Sequence, residues 1–206
     1  MANFVDDFEG SKLSKKWVAT RYSQGGQNDG QWLREVKNSK LFWKGLNAGT
    51  EAGYWGEWLS LPVNALGDII IDTDIRLKRI SGVGNYIFGV GFNQTANLIP
   101  RYGVMQLYTG GAIYCHGRNN FSQTVFPAMS SKNQYGPVAT NDCLLPARIV
   151  RKSNYAFLYI GGFYIGHFAY ASTITSVDIV SMWQNGVFDS EMSMDVIRVT
   201  PASVVL

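Results

Sequence analysis

A chain of 206 residues carrying a net charge of +3, with 16% charged and 14% aromatic residues, is long enough for one domain with a sizeable core and short for two. Such a composition excludes a disordered chain, which would be rich in charge and poor in aromatics. The small net charge and dispersed basic residues argue against a nucleic-acid partner, and no run approaches the roughly eighteen apolar residues that cross a bilayer.

Residues 5–17 read VDDFEGSKLSKKW, and the stretch from Met1 lacks the basic and then apolar pattern of a secretory leader. Synthesis and folding in a cytoplasm are expected, with secretion as the alternative had a leader been removed. Asp6 and Asp7 precede Phe8, Glu9-Gly10 turns the chain, and Trp17 starts the next apolar run, which reads as a first strand and corner. Trp17, Trp32 and Trp43 fall where core packing is the natural expectation. In GYWGEWLSLP, by contrast, Tyr54, Trp55 and Trp58 crowd a glycine-bearing corner.

GDIIIDTDIRLKR alternates with period two, placing Ile71, Thr73, Ile75 and Leu77 on one face and Asp72, Asp74, Arg76 and Lys78 on the other. NYIFGVGF sets Tyr86, Phe88, Val90 and Phe92 against Gly89 and Gly91, and glycines inside a strand mark a bulge or a close approach to the backbone. No helix follows these glycines, so they do not form a phosphate cradle. YTGGAIYCHGRNN brings Tyr108, Tyr114, His116 and Arg118 around a further turn.

From Asn119 to Pro146 the chain is polar and nearly patternless, and a loop of that length is expected to be functional or mobile. Strands and tight turns resume in ARIVRKSNYAFLYIGGFYIGHFAY, where Gly161-Gly162 is a strong hairpin signal. The remaining pattern predicts two more strands around an Asn185-Gly186 turn, with Trp183 beside it, and an apolar tail over 200–206. The two cysteines, Cys115 and Cys143, have no metal-site spacing. They are expected reduced; a bridge would contribute roughly 3–4 kcal/mol. His116 and His167 name no nucleophile or metal set.

Four segments in order, DDFEGSKLSKKW, LSLPVNALGDIIIDTDIRLKR, ARIVRKSNYAFLYIGG and MSMDVIRVT, resemble the concanavalin A-like lectin and glucanase superfamily. The resemblance implies one domain over 1–206, an all-β jelly-roll sandwich of two antiparallel sheets and about a dozen strands, with the first and last strands adjacent. Glucan-cleaving members resemble one another in a strand of alternating carboxylates. Here Asp72 and Asp74 share a face, but Arg76 and Lys78 follow, so the acid position is missing and no catalytic activity is expected. Related jelly rolls often hold calcium near their first and last strands, which implies Asp7, Glu9 and Asp195 as ligands.

The resemblance therefore implies a lectin-like module that binds glycan. Its expected combining site is Tyr54, Trp55, Trp58, Tyr108, Tyr114, His116, Arg118, Trp183 and Asn185, because flat aromatic faces stack on sugars while polar groups read their hydroxyls. The long loop and apolar tail add an expected partnership with other copies of the chain or other assembly proteins. The expected setting is a surface assembly such as a phage virion. A free carbohydrate-binding module, a purely structural subunit and a glycan-cleaving enzyme are the alternatives.

Overall fold

Period-two alternation, with frequent β-branched and aromatic residues, builds strands almost throughout. The computed structural model describes residues 4–24, 32–45, 54–94, 102–109, 112–119, 129–130 and 142–202. Thirteen strands occur among them: β1 (Phe4–Asp6), β2 (Val18–Gln24), β3 (Trp32–Lys37), β4 (Lys40–Gly45), β5 (Tyr54–Leu66), β6 (Ile69–Phe92) and β7 (Tyr102–Thr109), followed by β8 (Ala112–Arg118), β9 (Met129–Ser130), β10 (Asp142–Lys152), β11 (Tyr155–Ile160), β12 (Phe163–Ala169) and β13 (Ile174–Pro201). Among the described residues no helix is long and apolar enough to cross a membrane.

Two long strands organise the sandwich. β6 and β13 pair antiparallel along nearly their whole lengths, and their register shifts between Gln184 and Val187, Asp189 and Ser190, and Met194 and Ile197. Such bulges bend a ribbon and increase its twist. One end of the ribbon continues into a first sheet in the order β12-β11-β10-β6-β13-β4-β3, with β1 beside the end of β13. The other end forms the middle of a second sheet, in which β7, β8 and β9 extend from β6, and β5 and β2 from β13. All the ladders are antiparallel, as a jelly-roll sandwich requires.

The core lies between the sheets. Ile71, Ile75 and Leu77 enter it from β6, Ile149 from β10, Leu158 from β11, and Phe88, Val90, Ile179 and Trp183 from the second sheet. Trp17 and Trp43 are buried, as expected. The first and last strands are neighbours: Phe4 pairs with Val199 and Asp6 with Ile197. Gly161 and Gly162 both have positive φ, +61° and +83°, and close the β11–β12 hairpin. Gly91 and Gly103 face each other across β6 and β7. A Cβ at Gly91 would lie 2.0 Å from the Tyr102 carbonyl oxygen, so the close approach is made by a neighbouring strand.

Two expectations are corrected here. Asn185-Gly186 is not a hairpin, because β13 runs through it while β6 stays paired on both sides, and the extra residues are absorbed as a bulge. The expected loop over 119–146 ends in strand: Asp142–Pro146 begin β10 and pair with β6, and Met129–Ser130 pair with β8. Residues 120–128, 131–141 and 203–206, on which the assembly expectation rests, lie outside the described residues. Cys115 is on β8 and Cys143 on β10, and their side chains lie outside the description.

Candidate functional site

Two residues of the expected combining site are buried. Trp183 is 0% exposed and belongs to the core, and Trp58 is buried at 7%. Trp55 pairs with Trp183, Trp183 with Tyr86, and Tyr86 with Tyr108 across the second sheet. Positions 114, 116 and 118 pair with Leu107, Met105 and Gly103. Asn185 falls in the β13 bulge. Side chains of Tyr54, Trp55, Tyr108, Tyr114, His116, Arg118 and Asn185 lie outside the described residues.

The Asp7 and Asp195 carboxylates of the implied calcium set have partners within the chain. Both Asp195 carboxylate oxygens accept from Lys40 Nζ, each at 2.8 Å, so a side-chain cation already holds this carboxylate. Asp7 Oδ1 accepts from the Glu9 backbone N–H within the first turn. No group of three His, Cys, Asp or Glu side chains able to hold a metal occurs among the described residues.

A different face carries the features of a binding site. On β11 the alternation in YAFLYI buries Ala156, Leu158 and Ile160 and leaves Tyr155, Phe157 and Tyr159 on the outer side of the first sheet. β12 adds Tyr164 and His167, both exposed. Ring centroids lie 5.6 Å apart for Tyr159 and Tyr164 and for Phe157 and His167, and 6.3 Å apart for Tyr164 and His167, whose planes differ by 20°. The Tyr164 hydroxyl and His167 Nδ1 share a hydrogen bond. Tyr155 is 46% and Tyr164 50% exposed. The result is a continuous aromatic platform turned to solvent.

This platform borders a cavity of about 770 Å3 whose wall includes Asp72, Asp74, Arg148, Lys152, Tyr159 and Arg198. Arg148 donates to both oxygens of Asp72, from Nε at 2.5 Å and from Nη2 at 3.1 Å. On the same face Arg76 forks onto Asp142 at 2.9 and 2.6 Å, and this hydrogen bonding holds the Asp142 carboxyl below its usual range. Among the described residues, Asp74, Lys152 and Arg198 take part in no ion pair. The residues that the alternation exposes thus combine flat apolar rings with hydrogen-bonding and charged groups. The signal was the Tyr155, Phe157, Tyr159 alternation. Sequence reasoning passed over it because the stretch reads equally well as plain strand and turn.

No family model matches the chain, and no curated protein does. Solved structures do. The endo-beta-1,3-glucanase from Pyrococcus furiosus is 14% identical, with 95% of this chain and 92% of that chain covered at a TM-score of 0.60. The beta-glucanase of Bacillus licheniformis is 12% identical, with 97% and 98% covered at 0.61. The Emp47p carbohydrate recognition domain is 10% identical, with 97% and 94% covered at 0.55. The fold is therefore that of the concanavalin A-like lectins and glucanases. The expectation that the chain is not an enzyme is overturned: glucanases are prominent among the structures that share its fold. That expectation rested on one strand lacking a third carboxylate, and the fold is one on which glycan cleavage is carried out.

Proposed function

We propose that this chain recognises a polysaccharide on the outer face of the first sheet. The observation that carries the reading is the aromatic platform Tyr155, Phe157, Tyr159, Tyr164 and His167, placed beside a charged cavity. Exposed rings stack on the apolar side of a pyranose, and the neighbouring carboxylates and guanidinium groups take its hydroxyls. Shared fold with glucan-cleaving enzymes and a carbohydrate recognition domain supports the same class of ligand.

Affinity electrophoresis in gels containing soluble polysaccharide tests it. The parent chain is retarded, and Tyr164→Ala, at a half-exposed position, loses about tenfold in affinity with an unchanged melting temperature. Equal retardation of parent and variant in every gel that binds overturns the placement of the site.

Cleavage is the second reading, supported by the glucanases that share the fold and by Asp72 and Asp74 on one cavity wall. Release of reducing ends from a bound glucan, abolished in Asp74→Asn with binding kept, would establish it. Undiminished release in that variant would exclude Asp74 from the chemistry.

A further inference from the structure

We infer that the polysaccharide held on this face is anionic, its carboxylate or sulfate groups received by Arg198 and Lys152; this rests on the glycan reading above. One transverse row crosses the sheet. Tyr164 pairs with Tyr159, Tyr159 with Arg148, Arg148 with Asp72, and Asp72 with Arg198. The row spans four strand spacings, about 19 Å at ~4.8 Å each. That length suits a chain of sugars better than a single ring.

Charge along the row does not cancel. Asp72 is occupied by Arg148, so this pair is neutral as a unit. Arg198 lies on the other side of Asp72 in the register, exposed and without an ion pair among the described residues. Lys152 is likewise exposed on the cavity wall and likewise unpaired, next to the Tyr155 end of the platform. Asp74 is the one acidic wall residue left without an ion pair among the described residues. Two available cations against one carboxylate leave the cavity net positive. A guanidinium presents a planar fork that matches a carboxylate or a sulfate ester in two parallel hydrogen bonds. A neutral glucan would use the rings and leave both cations idle.

Affinity electrophoresis of the full chain against three probes separates the cases: a polygalacturonate, a dextran sulfate and a neutral beta-1,3-glucan, each at low and high salt. Parent protein is compared with Arg198→Gln and with Lys15→Gln, an exposed lysine outside the cavity wall that removes the same charge. The expected result is tighter binding of at least one anionic probe than of the neutral one. Arg198→Gln weakens it about tenfold, while Lys15→Gln changes it less than twofold. The preferred anionic probe identifies the group as carboxylate or sulfate.

Equal binding of neutral and anionic probes, untouched by Arg198→Gln, overturns the inference and leaves glycan recognition standing. Equal losses in Arg198→Gln and Lys15→Gln also overturn it, because attraction to the whole protein's charge would then suffice. Failure of all three probes to bind overturns the glycan reading and this inference together.

Discussion

Arg34 on β3 and Glu57 on β5 form an ion pair across the interior of the sandwich, and Trp43 Nε1–H donates to the other Glu57 oxygen at 3.1 Å. Glu57 is 2% exposed. Burial pushes its carboxyl above the usual value, against the opposing pull of Arg34 and the Trp43 indole. The pair ties the β3–β4 edge of the first sheet to the second sheet, at a position where the core is otherwise apolar.

Arg34→Met leaves this carboxylate buried without its cation. The expected loss is about 3 kcal/mol, the low end for a broken buried pair because Arg34 keeps part of its side chain in water. Adding Glu57→Gln restores most of the loss, since a neutral amide still accepts from Trp43. The loss in Arg34→Met also shrinks as pH falls, because a protonated Glu57 needs no partner. Urea denaturation of parent, single and double variants at two pH values reads all three effects, and additive losses would remove the coupling.

Asp178 is 1% exposed, and its oxygens accept from Ser60 Oγ, Ser176 Oγ and the Gln94 backbone N–H. Burial raises its pKa above 3.8, with these hydrogen bonds opposing. A raised carboxyl favours the folded state most below its unfolded value, and that contribution is lost as pH rises through the folded value. Asp178→Asn cannot ionise, so its melting temperature should gain on that of the parent between pH 3.5 and 7. Parallel curves over this range would contradict the assignment.

Gly103 has φ +150°, and a Cβ there would lie 2.2 Å from the Val90 carbonyl oxygen and 2.7 Å from Gly91 Cα. Backbone cannot yield as a flexible side chain does. Gly103→Ala is expected to cost about 2–4 kcal/mol, combining overpacking with an unfavourable φ. Gly67→Ala, with nothing within 4 Å of the added atom, should change stability by less than about 0.5 kcal/mol. Thermal unfolding of the two variants checks the contrast.

At the N-terminal corner, Trp17 Nε1–H donates to Asp6 Oδ2 at 2.7 Å and the Phe8 N–H donates to Asp6 Oδ1 at 3.0 Å. Asp6→Ala leaves both donors without this acceptor, and a loss of about 1–3 kcal/mol is expected. Asp7→Ala, which removes only an exposed contact at 3.4 Å, should be nearly silent. Tryptophan fluorescence during denaturation follows both, and equal losses would reassign the corner.

Much of the fold was legible because strand alternation is local. Ile71, Thr73, Ile75 and Leu77 read as one face from spacing alone, and all four are buried. The Gly161-Gly162 hairpin was legible for the same reason, since two adjacent positive φ values favour glycine. The Asn185-Gly186 dipeptide carries an equally strong turn signal and forms no turn. Its fate depended on β6 remaining paired across it, which is a fact about a strand a hundred residues away.

The binding surface was less legible still. Aromatic residues in glycine-rich corners looked exposed, yet Trp183 is in the core and Trp58 is buried, because burial depends on what packs against a residue and not on its chain neighbours. Both oxygens of Asp195 accept from Lys40 on the neighbouring strand, a pairing that the spacing of the two residues in the chain does not show. Sequence alone determined the strand character and the inner and outer faces of most strands, since each follows from period-two patterning and turn chemistry within a few residues, while the sandwich class came from the order of four segments that resemble a known superfamily. Tertiary structure alone decided which outer faces stay open and which charges are already paired. It brought Tyr164, Tyr159, Arg148, Asp72 and Arg198 into one row, because strands distant in the chain meet only when antiparallel pairing sets their register.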